Sequence, residues 1–261
     1  MNVIDFQKKK DKKEKISMIT CYDHFTAKII DDSMIDSVLV GDSCAMVVYG
    51  YPSTINATVE MMERHIEIVS RGAKSKFIIG DMPFLSFRKG VAEAMECVES
   101  FMRAGAHAVK LEGVTGHEDV VANIVQSGVP VMGHLGLTPQ SVHKFGGHKV
   151  QGKDQESMDK IIKDAKILED LGCFSIVLEC IPENLASKIT EAIKIPTIGI
   201  GAGLHVDGQV LVLQDMLGMA KDFNPKFLRK YLDGHSLISN AINKFHRDVK
   251  CLEFPGWDES Y

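Results

Sequence analysis

Several protein classes are excluded by what the 261-residue chain lacks. No apolar run approaches the roughly 20 residues of a membrane span. There is no excess of basic charge. The net charge is −5, so nothing draws the chain as a whole to nucleic acid or to an anionic membrane. The local exception is Lys8-Lys9-Lys10-Asp11-Lys12-Lys13-Glu14-Lys15. Acids interrupt it and no aromatic platform accompanies it, so it reads as a solvated surface. The six cysteines, Cys21, Cys44, Cys97, Cys173, Cys180 and Cys251, form no Cys-x-x-Cys pair. They read as reduced thiols in a reducing, cytoplasmic setting and not as a disulfide framework or a zinc site. The polar, lysine-rich start does not resemble a secretory signal, so the acceptor-like Asn56-Ala57-Thr58 carries no weight. No fixed-period repeat and no linker divides the chain. One domain over 1–261 is expected, with a helical C-terminal segment from about 219.

What is present is an ordinary globular composition, 45% hydrophobic and 25% charged, arranged in a recurrent pattern. Ser37-Val38-Leu39-Val40 runs into Gly41-Asp42-Ser43. A short, continuously apolar run that ends at glycine reads as a parallel strand buried on both faces. Its end carries a carboxylate. Phe77 to Asp81 ends in an aspartate, Ala108 to Glu112 in Lys110 and Glu112, and Phe174 to Cys180 carries Glu179. Acids are costly beside apolar strand cores unless compensated, so four such ends point to one polar site where strand ends converge.

Further strands are expected at 16–21, 130–136, 195–200 and 210–213. Helical spacing occupies 24–32, 59–70, 91–103, 118–126, 157–170 and 182–193, and the tail from Phe227 to Lys250 is mainly helical. Thr58 reads as a helix cap, with Glu60 and Glu63 in the early turns. Eight strand–helix alternations favour an α/β (β/α)8 TIM barrel over a doubly wound open sheet, and a barrel brings every strand C-terminus to one face.

Two glycine patterns mislead. Gly147-His148-Lys149-Val150-Gln151-Gly152-Lys153 has P-loop spacing, but Asp154 stands where a Ser or Thr is needed and no strand precedes it. It reads as a loop. Gly199-Ile200-Gly201-Ala202-Gly203 follows a strand without clearly opening a helix, so it reads as a tight turn and not a dinucleotide site.

Asp42, Asp81 and Glu112 are hard oxygen ligands suited to Mg²⁺, and no His and Cys cluster favours zinc. Lys110 and Glu112, two apart on one strand, point to the same side. Glu179, on another part of the rim, is placed to serve as a base without being a ligand. His134 ends the fifth strand, and Ser43 adds a hydroxyl beside Asp42. The competing reading of each acid is a cap, turn former or salt-bridge partner. For His134 that reading is a satisfied structural histidine.

The motifs Ile19-Thr20-Cys21-Tyr22-Asp23, Val40-Gly41-Asp42-Ser43, Asp81-Met82-Pro83-Phe84, Val109-Lys110-Leu111-Glu112-Gly113 and the block Gly133 to Ser141 recur in order and spacing in one family. So do Gly146 to Gly152, Leu178-Glu179-Cys180-Ile181-Pro182 and Gly199 to Gly203. Nearly the whole chain resembles the ketopantoate (3-methyl-2-oxobutanoate) hydroxymethyltransferases. The resemblance implies a barrel of the phosphoenolpyruvate/pyruvate type and an enzyme of pantothenate and coenzyme A synthesis. It implies a 2-oxo acid substrate with 5,10-methylenetetrahydrofolate as one-carbon donor. By matching motifs, Asp42, Asp81 and Glu112 would hold Mg²⁺, while Asp42, Ser43, Asp81 and Lys110 would contact the 2-oxo acid, with His134 a further candidate contact. Glu179 would be the proton acceptor. A homo-oligomer, a decamer, is also implied. Cys44-Ala45 and Val114 depart from the family pattern at the cavity wall, and no catalytic position is lost. The competing readings are a carbon–carbon lyase on a related barrel and a barrel kept as a non-catalytic binding protein.

Overall fold

The structure, a computed structural model, describes residues 1–261. Eight strands close into a parallel barrel in chain order: β1 (Ile16–Thr20), β2 (Ser37–Val40), β3 (Phe77–Asp81), β4 (Ala108–Glu112), β5 (Val131–Gly136), β6 (Ser175–Glu179), β7 (Thr197–Ile200) and β8 (Gly208–Leu211). β8 returns to pair with β1, so no sheet edge is left open. The helices are α1 (Val3–Asp11), α2 (His24–Asp31), α3 (Cys44–Val47), α4 (Val59–Gly72), α5 (Val91–Arg103), α6 (Glu118–Gln126), α7 (Val142–Phe145), α8 (Gln155–Asp170), α9 (Glu183–Ala192), α10 (Leu213–Met216) and α11 (Gly234–Lys250). None is long and apolar enough to cross a membrane.

The buried strands follow from their sequences. β2, β3 and β4 are buried at every position, as continuous apolar runs require inside a doubly covered sheet. The helices present one apolar stripe each. α4 buries Met62, Ile66 and Val69, spaced by four and three residues, and Thr58 caps it by accepting a bond from the Met61 N–H. Asp23 and Asp154 cap α2 and α8 in the same way. Glycine is required where strands crowd. A Cβ on Gly136 would run into the Glu179 carbonyl oxygen, and its φ of +95° lies in the left-handed region.

Helix α1 lies at the N-terminal end of the barrel. Phe6 is fully buried, with its ring edge-on to Phe77 at 5.6 Å and to Phe174 at 5.2 Å. This corrects the reading of the lysine run as a uniformly solvated face. Lys10 folds in to pair with Asp207 at 2.9 Å, and Lys9 pairs with Asp36 at 2.9 Å. Lys8, Lys12, Lys13 and Lys15 remain exposed.

Three other elements differ from the sequence expectation. β8 spans 208–211 and not 210–213, because Gly208 provides the close approach: a Cβ there would meet the Ile16 carbonyl oxygen at 2.5 Å. Leu213 opens a helical turn instead. The tail is helical only from Gly234, where the Asp233 side chain caps α11. The 137–154 loop contains a 3-10 turn, Pro139–Ser141, and the short helix α7.

The chain forms two compact units, Met1–Val212 and Leu213–Tyr261. The first contains the whole barrel. The second contains α10, α11 and a 3-10 turn, Trp257–Glu259. On α11, Ile238, Ile242, Phe245 and Val249 form an exposed apolar stripe at spacings of four, three and four. The P-loop lookalike is a loop between α7 and α8, and Gly201 and Gly203 form a left-handed turn after β7.

Candidate active site

Parallel register brings the candidate residues to one rim. Asp81 pairs with Lys110, Glu112 with His134, and Gly136 with Glu179 across neighbouring strands. Asp42 and Ser43 follow β2 directly. All seven sequence-predicted residues line one cavity of about 110 Å³ at the C-terminal ends of the strands. Its remaining wall is largely apolar and includes Leu39, Val177, Ile200 and Val210.

Asp42, Asp81, Lys110, Glu112 and His134 are all buried. Lys110 Nζ lies 2.7 Å from Asp81 Oδ1 and 3.3 Å from His134 Nδ1. Asp81 Oδ2 accepts the Asp42 backbone N–H at 3.1 Å. His134 Nε2 lies 3.1 Å from Glu179 Oε2. Glu112 Oε1 receives no hydrogen bond, with His134 Nδ1 standing 3.6 Å off. Glu179 is the most accessible of the acids, its side chain 18% exposed.

The electrostatics follow from this crowding. Burial, then the Asp81 and Glu112 charges, push the Asp42 carboxyl well above the usual carboxylate range. Burial pulls the Lys110 ammonium down, but Asp81, Glu112 and Asp42 outweigh it and hold the lysine charged. For His134, burial and Lys110 favour the neutral ring. The neighbouring Glu112 and Glu179 carboxylates prevail and raise it to about 9.

Two residues were not singled out as site residues by sequence reasoning. Gln140, in the 3-10 turn after β5, is buried. Its Nε2 donates to Asp42 Oδ2 at 2.9 Å and to the Met82 carbonyl at 3.0 Å, and its backbone N–H donates to Glu112 Oε2 at 3.1 Å. Tyr22, after β1, places its hydroxyl 2.7 Å from Ser43 Oγ, and burial keeps the phenol protonated. The His65 ring nitrogen Nδ1 holds the Tyr22 carbonyl at 2.7 Å. Both Gln140 and Tyr22 lie inside motif blocks, which was the only signal available.

The Mg²⁺ implied by the motifs can be tested against this donor set. No three His, Cys, Asp or Glu side chains are gathered closely enough to hold a metal ion by themselves. Three buried carboxyl groups instead crowd around Lys110, close enough that Asp81 and Glu112 push Asp42 up, and one oxygen, Glu112 Oε1, has no donor. Mg²⁺ is usually held by one or two carboxylates together with waters and substrate oxygens and not by an all-protein cage. The residues fit such an ion.

The profile of the family described as ketopantoate hydroxymethyltransferase matches residues 1–257. A 3-methyl-2-oxobutanoate hydroxymethyltransferase of Bdellovibrio bacteriovorus is 56% identical over 99% of this chain and 98% of its own length. Among solved structures, 2,3-dimethylmalate lyase, a member of the PEP mutase/isocitrate lyase superfamily, superposes with a TM-score of 0.61 at 15% identity, over 96% of this chain and 98% of that one. Phosphonopyruvate hydrolase, solved with oxalate and Mg²⁺, superposes with a TM-score of 0.65 at 10% identity, over 99% and 93%. These neighbours share the barrel fold of this chain.

Proposed function

The chain belongs to the ketopantoate hydroxymethyltransferase family, and on that premise we propose that it transfers a hydroxymethyl group from 5,10-methylenetetrahydrofolate to 3-methyl-2-oxobutanoate. The product is 2-dehydropantoate, on the route to pantothenate and coenzyme A. The observation that carries the reading is the rim itself. Three buried carboxylates converge on one lysine, while a fourth, Glu179, stands apart on the far side of His134.

Asp42, Asp81 and Glu112 are the residues that would hold Mg²⁺, which when bound supplies Lewis-acid stabilisation of developing enolate charge. Lys110 places a fixed positive charge beside Asp81, where the substrate carboxylate and keto oxygen would lie. Ser43, oriented by Tyr22, offers a hydroxyl to the same group. Glu179 removes the C3 proton of the 2-oxo acid. His134 holds Glu179 Oε2 and fixes the direction of its carboxylate. The enolate forms a C–C bond to the methylene carbon of the folate donor, both C–N bonds of that carbon to the folate break, one water supplies the hydroxyl oxygen, and tetrahydrofolate leaves. The apolar wall of Leu39, Val177 and Ile200 keeps bulk water from quenching the enolate.

The test is product analysis with 3-methyl-2-oxobutanoate, Mg²⁺ and the folate donor. The expected result is 2-dehydropantoate only when the donor is present. Carbon–carbon cleavage without the donor would assign a lyase instead. The setting is the reducing cytoplasm, in keeping with six free cysteines. The assembly is a homo-oligomer, a decamer, whose subunits cover the exposed α11 stripe. Light scattering at micromolar concentration should give a mass well above 28.8 kDa, and a stable monomer would reject the assembly.

A further inference from the structure

We propose, resting on the reading that this rim binds a divalent cation and a 2-oxo acid, that Gln140 is the positioning residue that holds Asp42 and Glu112 in register for that pair of ligands. One residue of a 3-10 turn bonds to three strand ends. Its side chain reaches Asp42 after β2 and the Met82 carbonyl after β3, and its backbone N–H reaches Glu112 at the end of β4. The direction of the amide is fixed by chemistry. Both side-chain partners are acceptors, so only the NH₂ end satisfies them, and its two hydrogens match two acceptors. At 6% exposure the group has little water to fall back on.

The choice of a neutral amide matters. A lysine or arginine at this position would neutralise Asp42 and compete with a cation for it. A neutral donor fixes the carboxyl group through Oδ2 and adds no positive charge to compete with a cation. Glu112 is held in the same manner. Oε2 is tied to the Gln140 backbone, while Oε1 has no hydrogen-bond donor. The turn that presents Gln140 is itself fixed, since Pro139 opens it and the Ser141 N–H donates to the Thr138 carbonyl at 2.8 Å. Asp42 and Gln140 are 98 residues apart, so the bond also pins the loop after β5 over the cavity.

The experiment titrates Mn²⁺ alone into the full-length protein by calorimetry, for wild type, Gln140→Leu and Gln140→Glu, with far-UV circular dichroism confirming the fold. If the donor is what matters, both variants weaken Mn²⁺ binding on the order of tenfold or more, the scale typical of groups that orient metal ligands. Gln140→Glu loses at least as much as Gln140→Leu, because it turns a carboxylate toward Asp42 and the Met82 carbonyl. A space-filling role predicts the reverse order, since glutamate has the shape of glutamine. The affinity for 3-methyl-2-oxobutanoate at saturating Mn²⁺ should fall in parallel, while Ser141→Ala leaves both unchanged. Should one variant fail to fold, Gln140→Asn, which keeps the amide and shortens its reach, carries the same expected loss. A folded Gln140→Leu or Gln140→Glu that binds Mn²⁺ as tightly as wild type overturns the proposal. A wild type that binds neither Mn²⁺ nor the 2-oxo acid overturns the functional reading and the proposal with it.

Discussion

The two ends of the barrel both bring charge in from water, and they do so in opposite ways. At the N-terminal end, Lys10 meets one aspartate and its ammonium finds three acceptors. Lys10 Nζ donates to Asp207 Oδ2 and to the carbonyls of Thr190 and Ile195, and Asp207 Oδ2 also accepts from the Thr197 backbone and hydroxyl. At the C-terminal rim, Lys110 faces Asp42, Asp81 and Glu112 together, Asp42 is driven toward its neutral form, and Glu112 Oε1 has no donor. A saturated one-to-one pair closes a structure. An unbalanced cluster is what a cation-binding site looks like before the cation arrives. The fold is built to stay shut at the first end and to accept a ligand at the second.

The largest effect is expected at Glu179, the rim acid that pairs with a histidine and not with the lysine. Glu179→Gln keeps the shape and removes the proton acceptor. The readout needs no folate: in D₂O with Mg²⁺, loss of the C3 proton signal of 3-methyl-2-oxobutanoate is followed by NMR. Exchange should fall roughly a hundredfold to ten-thousandfold, the usual range for removing a general base. Mg²⁺ binding should be retained. Exchange at the wild-type rate removes Glu179 from this role, whereas a lost metal would make it a ligand.

A second pair of substitutions tests the two ends against each other. Lys10→Met leaves Asp207 part-buried without its cation. Breaking such a pair costs roughly 2–3 kcal/mol, somewhat below the fully buried case because both side chains keep 15% of their exposure. Product formation under native conditions should be unaffected. Asp42→Asn at the rim should do the reverse. It relieves repulsion among like charges, so metal-free stability holds or rises slightly, while 2-oxo acid and Mg²⁺ binding fall. Chemical denaturation beside calorimetry separates the two. Equal destabilisation by both variants would show that the ends do not differ in kind.

How much of this was legible depends on the physics each feature uses. The strands and the rim acids were readable because a buried parallel strand must be apolar throughout, so an acid at its end stands out. Asp42, Asp81, Lys110, Glu112, His134 and Glu179 reached one cavity for that reason. Gln140 was not readable as a site residue, since a neutral amide in a loop carries no charge signal and its partner is 98 residues away. The Lys10–Asp207 pair spans 197 residues and sat within a run that local composition marks as solvated. Short helices such as α3 and α7, four residues each, are too brief for any period to show. The start of β8 was missed because glycine adds nothing to an apolar count, although backbone crowding at Gly208 demands it.

The smallest expected effect sharpens the contrast within the rim side itself. Two buried histidines, one within β5 and one in the loop after β4, are shifted in opposite directions. His134, beside the Glu112 and Glu179 carboxylates, is raised to about 9. His117, at the start of α6 and only 2% exposed, is lowered to about 4 by burial and then by the Arg88 charge, with Glu118 opposing. Its ring packs 5.2 Å from Phe87, and neither ring nitrogen has a hydrogen-bond partner. The folded pKa lies below the unfolded value of 6.5, so between about 4 and 6.5 the unfolded chain binds the proton and the native chain does not. Stability from this residue is therefore complete above 6.5 and is lost as pH falls toward about 4. His117→Leu removes that loss. The stability difference between variant and wild type should move in the variant's favour on acidification from neutral pH to about pH 5, by at most about 2 kcal/mol and less with solvent screening. Urea denaturation at the two pH values measures it. A difference that does not change with pH would mean that His117 titrates alike in both states, and that the rim's positive and negative neighbourhoods are not as separate as their geometry indicates.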